Sequence, residues 1–229
     1  HGLVLQDVTV TGNASAGTTV NTAMNISQTQ TTLAAPTTAG TANPSTKSIT
    51  KYLGVVGSEQ SDYTTKYAGT SPIDYTHYYY GSSKAQAGTI NAVNQPMTMS
   101  QTQRSAARPP AETITNDTKS ITYYKGSAPG DEQSDYTIKY ANSTIADYTA
   151  YYYDVSGTAT RANATTTVNA RMSLSHTTKT AVASSTAPET STKSITRYLG
   201  AVGDEQSDYT TKYAGTSPID YTYYYYGTG

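Results

Sequence analysis

Residues 46–81 read TKSITKYLGVVGSEQSDYTTKYAGTSPIDYTHYYYG, and this stretch occurs three times in the chain. It returns at 118–154 as TKSITYYKGSAPGDEQSDYTIKYANSTIADYTAYYYD and at 192–227 as TKSITRYLGAVGDEQSDYTTKYAGTSPIDYTYYYYG. All 23 tyrosines lie within these copies. Self-similarity at a fixed period is the mark of a repeat architecture. The sequence therefore predicts one structural unit that is built three times.

The repeat period includes the sequence on either side of each copy. Met24, Met97 and Met172 occupy the same place in each unit, 73 and 75 residues apart. A unit of this size buries only about 60% of its unfolded surface, so it should gain stability by packing on its neighbours. The predicted organisation is an N-terminal strand followed by three β repeats: residues 1–10, then 11–82, 83–155 and 156–229.

Apolar and polar residues alternate around each of those methionines. The segment from Val20 to Ile26 shows this pattern, and it returns near Met97 and Met172. A period of two predicts a strand with one buried face. Each copy of the long stretch supplies about three more strands, separated by Gly, Pro and Asp. The predicted fold class is all-β, with three small β-sandwich (Ig-like) or barrel-like repeats. The recurrent residues Tyr75, Tyr148 and Tyr221 are expected in the core.

Composition narrows the classes of function. Charged residues make up 14% of the chain and the formal net charge is -1, which predicts no attraction to nucleic acid or anionic membranes. No apolar run reaches the roughly 18 residues of a membrane span. Cysteine is absent, which excludes disulfides and thiolate metal sites. The chain opens at His1 rather than Met, which favours a processed, exported product. We expect an extracellular structural protein and not an enzyme.

Runs of tyrosine end each copy of the long stretch. Neighbouring residues of a strand point to opposite faces, so such runs place aromatic rings on both sides of a sheet. Tyrosine is enriched at protein interfaces. The alternatives are packing inside the chain and a flat platform for glycans. The candidate residues are Tyr78, Tyr79, Tyr80, Tyr151, Tyr152, Tyr153, Tyr223, Tyr224, Tyr225 and Tyr226.

Acidic turns and glycosylation motifs are the other candidate sites. Close carboxylates on a short turn can hold calcium, although a solvated acidic turn is the alternative; no other cofactor is expected. The possible calcium ligands are Asp131, Glu132, Asp135, Asp204, Glu205 and Asp208. Five N-x-S/T motifs could carry glycans. They begin at Asn13, Asn25, Asn116, Asn142 and Asn163.

The first nine residues, HGLVLQDVT, have no counterpart before the other two units. An exposed strand containing Leu3, Val4, Leu5 and Val8 would promote aggregation of a monomer. Adding this strand to the open sheet edge of another copy would satisfy its backbone. Because the donor and acceptor surfaces differ, such a contact runs head to tail and predicts a filament. The alternative is that the strand completes the sheet of its own unit.

Two resemblances bear on function. The opening HGLVLQDVTVTG resembles the mature start of copper-dependent lytic polysaccharide monooxygenases, which implies His1 as a copper ligand, with His77 or His176 as the second. In its repetition and composition the chain resembles pilus-type and fibre-type surface proteins. That resemblance implies a filament subunit whose partners are copies of itself. A carbohydrate-binding adhesin that uses tyrosine platforms is the alternative.

Overall fold

The computed structural model describes the backbone of residues 4–9 and 12–13, and residues 22–32 and 38–227 in full. Every regular element in these ranges is a β-strand, which confirms the all-β class. In chain order the strands are β1 (Val4–Thr9), β2 (Gly12–Asn13), β3 (Ile26–Gln30), β4 (Thr46–Leu53), β5 (Gln60–Ala68), β6 (Ser71–Tyr80), β7 (Ala85–Gln86), β8 (Met97–Gln103), β9 (Thr118–Lys125), β10 (Gln133–Ala141), β11 (Thr144–Val155), β12 (Thr158–Arg161), β13 (Met172–Thr178), β14 (Thr192–Leu199), β15 (Gln206–Ala214) and β16 (Ser217–Tyr223).

Hydrogen bonds join these strands into one large antiparallel sheet. Its order is β16-β15-β14-β13-β11-β10-β9-β8-β6-β5-β4-β3-β1-β2, with β7 beside β6 and β12 beside β11. The long stretches of sequence form β4–β6, β9–β11 and β14–β16, while the strands around the methionines are β3, β8 and β13. The order is almost sequential, so most antiparallel neighbours are also consecutive in the chain. The sandwich or barrel form expected from the sequence is not confirmed.

The chain divides into two compact units. One contains residues 1–95 and 99–119, and the other contains 96–98 and 120–229. The boundary therefore falls within β8 and β9. The predicted division into three sequence repeats is not tested by this arrangement and stays a prediction.

The apolar core of the second unit lies where loop residues cover the sheet. Ala150, Tyr152, Leu174, Ala183 and Ile195 form one buried cluster. Four of these five residues belong to β11, β13 and β14, and Ala183 comes from the loop that follows β13. Small and branched residues on adjacent strands leave room for the large tyrosine ring and fill the space around it.

Hydroxyl groups of threonine side chains bind one another across neighbouring strands. The Oγ1 atoms of Thr50 and Thr64 lie 2.8 Å apart, and those of Thr76 and Thr102 lie 2.9 Å apart. Cross-strand pairs of this kind add modest stability to a sheet. The same pairs recur as Thr122–Thr137, Thr149–Thr177 and Thr196–Thr210.

The expectation for Tyr75, Tyr148 and Tyr221 is wrong. Tyr75 and Tyr148 are only half-buried, and Tyr221 is 53% exposed. In β6 and β11 the buried tyrosines, Tyr79, Tyr80, Tyr152 and Tyr153, lie later in the same strand. The described part of the chain contains no helix long and apolar enough to cross a membrane.

Candidate assembly edge and tyrosine runs

Strand β16 lies at one end of the sheet order and pairs with β15. Its counterparts in the earlier sequence repeats, β6 and β11, each have another strand on the far side, β8 and β13 respectively. Every residue of β16 is exposed. In the part of the chain that the structure describes, β16 therefore has no strand on the side where β6 and β11 are each covered.

Two rings of each tyrosine run pack within their own repeat in the same way. The hydroxyl of Tyr80 donates to Ser61 O at 2.7 Å, and the hydroxyls of Tyr78 and Thr64 lie 2.9 Å apart. The second repeat has the same contacts at Tyr153–Ser134 and Tyr151–Thr137. The third repeat has them at Tyr226–Ser207 and Tyr224–Thr210. These rings follow the sequence repeat in each copy.

The middle ring behaves differently, because it depends on the repeat that follows. The Tyr79 hydroxyl donates to Pro109 O at 2.7 Å, and the Tyr152 hydroxyl donates to Ala183 O at 3.1 Å. Both acceptors lie in loops of the next sequence repeat. Tyr79 is 1% exposed and Tyr152 is 3% exposed, whereas Tyr225 is 91% exposed. Burial raises the pKa of Tyr79 and Tyr152, so both rings keep their protons.

The predicted interface residues therefore fall into two groups. In the first two repeats the runs pack inside the chain, which was the alternative interpretation of the sequence. In the third repeat all four rings, Tyr223 to Tyr226, are exposed. Sequence alone could not separate the groups, because the residues themselves are nearly identical.

Strand β1 lies near the other end of the sheet order, between β3 and the two-residue strand β2. It pairs antiparallel with β3, with Val4 opposite Gln30 and Asp7 opposite Ser27. The equivalent pairing in the third repeat joins β11 to β13, with Tyr148 opposite Thr178. Gln30 and Thr178 correspond in the sequence repeats, so β1 holds the place on β3 that β11 holds on β13. Within this chain β1 completes its own unit; the side chains of the predicted donor residues Leu3, Val4, Leu5 and Val8 lie outside the described residues.

Ion pairs also change at the third repeat. Lys119 Nζ lies 2.6 Å from Asp74, and Lys193 Nζ lies 3.0 Å from Asp147. In both pairs the lysine belongs to the repeat after that of the aspartate. The third aspartate, Asp220, instead pairs with a lysine of its own repeat at 3.0 Å. A hydrogen bond from that lysine, Lys212, lowers the pKa of Asp220.

The acidic turns hold the backbone together. Glu132 accepts hydrogen bonds from Met97 N and Gly130 N, both at 2.8 Å. Glu59 binds Met24 N and Gly57 N, and Glu205 binds Met172 N and Gly203 N, in the same manner. Backbone hydrogen bonds, led by that from its own N–H, lower the pKa of Glu59.

The proposed calcium ligands are not brought together. Asp135 pairs with Arg161, whose Nε lies 2.9 Å from its carboxylate. Asp204 is exposed. Among the described residues no three His, Asp or Glu side chains could hold a metal ion.

The histidines and sequons have varied surroundings. His176 is fully buried, and its ring nitrogens contact Ser185 O at 2.9 Å and Thr192 Oγ1 at 2.8 Å. His1 lies outside the described residues. Asn116, Asn142 and Asn163 are exposed, Asn25 is half-buried, and the side chain of Asn13 is not described. Asn163 Oδ1 accepts a hydrogen bond from Thr165 N within its own motif.

Comparison of the chain with family models, with curated proteins and with solved structures found no match.

Proposed function

We propose that this chain is the subunit of an extracellular structural filament that assembles head to tail from copies of itself. The observation that carries the proposal is the exposed edge strand β16. In this interpretation the three sequence repeats act as equivalent units, and the third lacks the neighbour that covers each of the others. Assembly would supply that neighbour from a second copy.

Strand β3 of the second copy fits this role by sequence. Residues 26–30 read ISQTQ, and residues 99–103 of β8 read MSQTQ. Strand β8 is the one that lies beside β6. Suppose that β3 of a second copy pairs with β16 in the register that β8 has on β6. Its Thr29 would then lie opposite Thr222, as Thr102 lies beside Thr76.

Charge complementarity supports the same arrangement. Lys47 corresponds to Lys119 and Lys193, but it is exposed and has no ion-pair partner among the described residues. Asp220 corresponds to Asp74 and Asp147 and pairs only with an exposed lysine of its own repeat. In a head-to-tail contact Lys47 of one copy would reach Asp220 of the other. Such complementarity orients and selects partners more than it adds affinity.

Strand β1 can take part in two ways. In strand donation, β1 leaves its own β3 and pairs with β16 of the next copy. In strand replacement, β16 of the next copy takes the place of β1 on β3. The register favours replacement, because β1 lies on β3 where a preceding repeat would lie.

The edge itself is tested with a proline. Tyr224 N donates to Asp208 O on the β15 side, so the N–H of Tyr223 faces outward by strand alternation. Tyr223→Pro removes that outward donor, and proline is tolerated on an edge strand. We expect the purified wild-type chain to form filaments in negative-stain micrographs and Tyr223→Pro to stay monomeric in sedimentation velocity. Ile90→Lys, at a loop residue that is 86% exposed, is the control and should assemble normally. A wild-type chain that stays monomeric at high concentration would refute the proposal.

Deletion of residues 1–9 distinguishes the two roles of β1. Strand donation predicts that the truncated chain stays folded and that filaments vanish. Strand replacement predicts that filaments form faster than in the full chain, because β3 is already open. Unchanged assembly kinetics would contradict both roles of β1 and leave the β16 edge to be judged by the proline variant.

A further inference from the structure

A half-open cavity of about 390 Å³ is lined by strands of the first sequence repeat and by the loop that follows β8 in the second. Its lining includes Asp62, Tyr63, Tyr67, Tyr75, His77 and Arg108. All of these residues belong to the first compact unit. The volume falls within the range of small-molecule sites, which runs from about 300 to 1,000 Å³.

Two residues that line this cavity carry buried polar atoms without partners. The ring of His77 is 2% exposed, yet neither Nδ1 nor Nε2 has a hydrogen-bond partner among the described residues. Nη1 of Arg108 is also buried and has no partner among them. Most buried polar groups in proteins are hydrogen-bonded. Unsatisfied groups on two residues of one cavity wall favour a polar ligand at this place.

The charges on the cavity indicate what kind of molecule this is. The Arg108 guanidinium forms an ion pair with the Asp62 carboxylate and donates to Asp62 O at 2.7 Å. These charges cancel, so the site does not favour an anion. Burial, assisted by Arg108, lowers the pKa of His77 to about 4. A neutral imidazole offers one donor and one acceptor, which together match sugar hydroxyls.

We propose that this cavity binds one neutral pyranose residue of a glycan. His77 and Arg108 hydrogen-bond its hydroxyl groups, and the rings of Tyr63, Tyr67 and Tyr75 pack against its C–H faces. The amphipathic tyrosine ring is suited to such a surface. This site is independent of filament assembly, since none of its residues lies on β16 or β1.

The site belongs to the first repeat alone. The residues that correspond to His77 are Ala150 and Tyr223. In the second repeat, Ala150 is part of the buried apolar cluster. There the Tyr136 ring stacks on Tyr123 with centroids 4.6 Å apart. The proposal therefore expects one pyranose per chain rather than three.

Histidine NMR signals of the full chain test the site directly. The chain has only three histidines, and His176 is an internal control because both of its nitrogens are already hydrogen-bonded. The probes are the methyl glycosides of glucose, galactose, mannose and N-acetylglucosamine, with glucuronate as an anionic comparison. We expect at least one neutral glycoside to shift the His77 signals saturably, with a Kd of roughly 1–10 mM, while the His176 signals stay unchanged.

Two substitutions at His77 have a counterpart in the chain itself. His77→Ala and His77→Tyr introduce the residues that the other two repeats carry at the equivalent position. Each should weaken binding by about tenfold or more, measured by saturation-transfer signals of the sugar. Tyr223→Ala, at the same position of the third repeat, should bind like wild type.

Three outcomes would overturn the proposal. The first is that no neutral glycoside shifts the His77 signals at about 100 mM, which would mean that water alone fills the cavity. The second is that glucuronate binds at least about tenfold more tightly than every neutral glycoside, which would mean an anion site. The third is that His77→Ala binds as well as wild type. None of these results bears on filament formation.

Discussion

Glu205 accepts hydrogen bonds from Met172 N and Gly203 N, both at 3.0 Å. One carboxylate thus ties the first strand of the repeat to a turn of the long stretch. Hydrogen bonds to a charged acceptor are stronger than those between neutral groups. The acidic turns therefore have a structural role that the spacing of their carboxylates in the sequence did not indicate.

Replacing Glu205 by Gln should destabilise the chain by about 1–2 kcal/mol, because one backbone donor loses its acceptor and the other loses the charge. Urea unfolding at neutral pH measures this change. Asp204→Asn, on the neighbouring exposed residue, removes the same charge and should cost less than about 0.5 kcal/mol. Equal effects of the two variants would mean that only net charge matters.

His77 predicts a dependence of stability on pH. Its pKa is about 4 in the folded chain and near 6.5 in an unfolded chain, so the unfolded state takes up the proton first as the pH falls. The contribution of the neutral His77 ring to the unfolding free energy is complete above about pH 6.5. It falls by up to about 3 kcal/mol as the pH is lowered to about 4. Unfolding free energies at several pH values should show this loss in wild type. The profile of His77→Ala should lack it, and parallel profiles would contradict the assignment.

At the scale of elements, the tyrosine runs show that one strand sequence can be core or surface. Strand β11 contains the run Tyr151 to Tyr153, and β16 leads directly into the run Tyr223 to Tyr226. Tyr152 packs under a loop of the following repeat, whereas its counterpart Tyr225 is 91% exposed. The position of each ring in the sheet, and not its residue type, decides how deeply it is buried and how much it contributes to stability.

Tyr152→Ala and Tyr225→Ala make a matched pair. The first change removes a buried ring and should cost about 3–5 kcal/mol of unfolding free energy. The second removes a ring that is 91% exposed and should change the monomer by less than about 0.5 kcal/mol. Chemical denaturation at low protein concentration compares them without assembly. A large loss in Tyr225→Ala would show that β16 is covered in the monomer.

At the scale of the whole molecule, the proposed filament depends on Lys47 in β4 and Asp220 in β16. The corresponding residues form the pairs Lys119–Asp74 and Lys193–Asp147 within the chain. The proposed contact joins two different surfaces, and such a contact generates an open filament unless a ring closes.

A charge exchange tests this complementarity. Lys47→Asp or Asp220→Lys alone would place like charges opposite each other at the proposed contact and should raise the concentration needed for assembly by about tenfold. Combining both changes in one chain restores opposite charges and should restore assembly. Sedimentation velocity over a concentration series gives the comparison. If the double variant assembles no better than the single ones, the two residues do not meet.

The sequence by itself determined the all-β class, the position of most strands and the internal repeat. These follow from local rules, since a period of two and glycine-rich turns specify strands wherever they occur. The three near-identical copies also give Tyr78 and Tyr80 the same hydrogen bonds as their counterparts in the other copies, because the partners lie within the same copy.

Only the tertiary structure decided which surfaces are covered. The sequence could not tell a single sheet from a sandwich, because both bury alternate residues of each strand. It expected Tyr75 in the core and left open whether Tyr79 packs inside the chain, since the carbonyl that accepts from Tyr79 is Pro109 O, 30 residues away. The sequence also left open whether residues 4–9 pair with the sheet of their own unit or with another copy, because strand pairing depends on which edge is free. The cavity at His77 also depends on tertiary contacts, because His77 on β6 and Arg108 from the next repeat both line it.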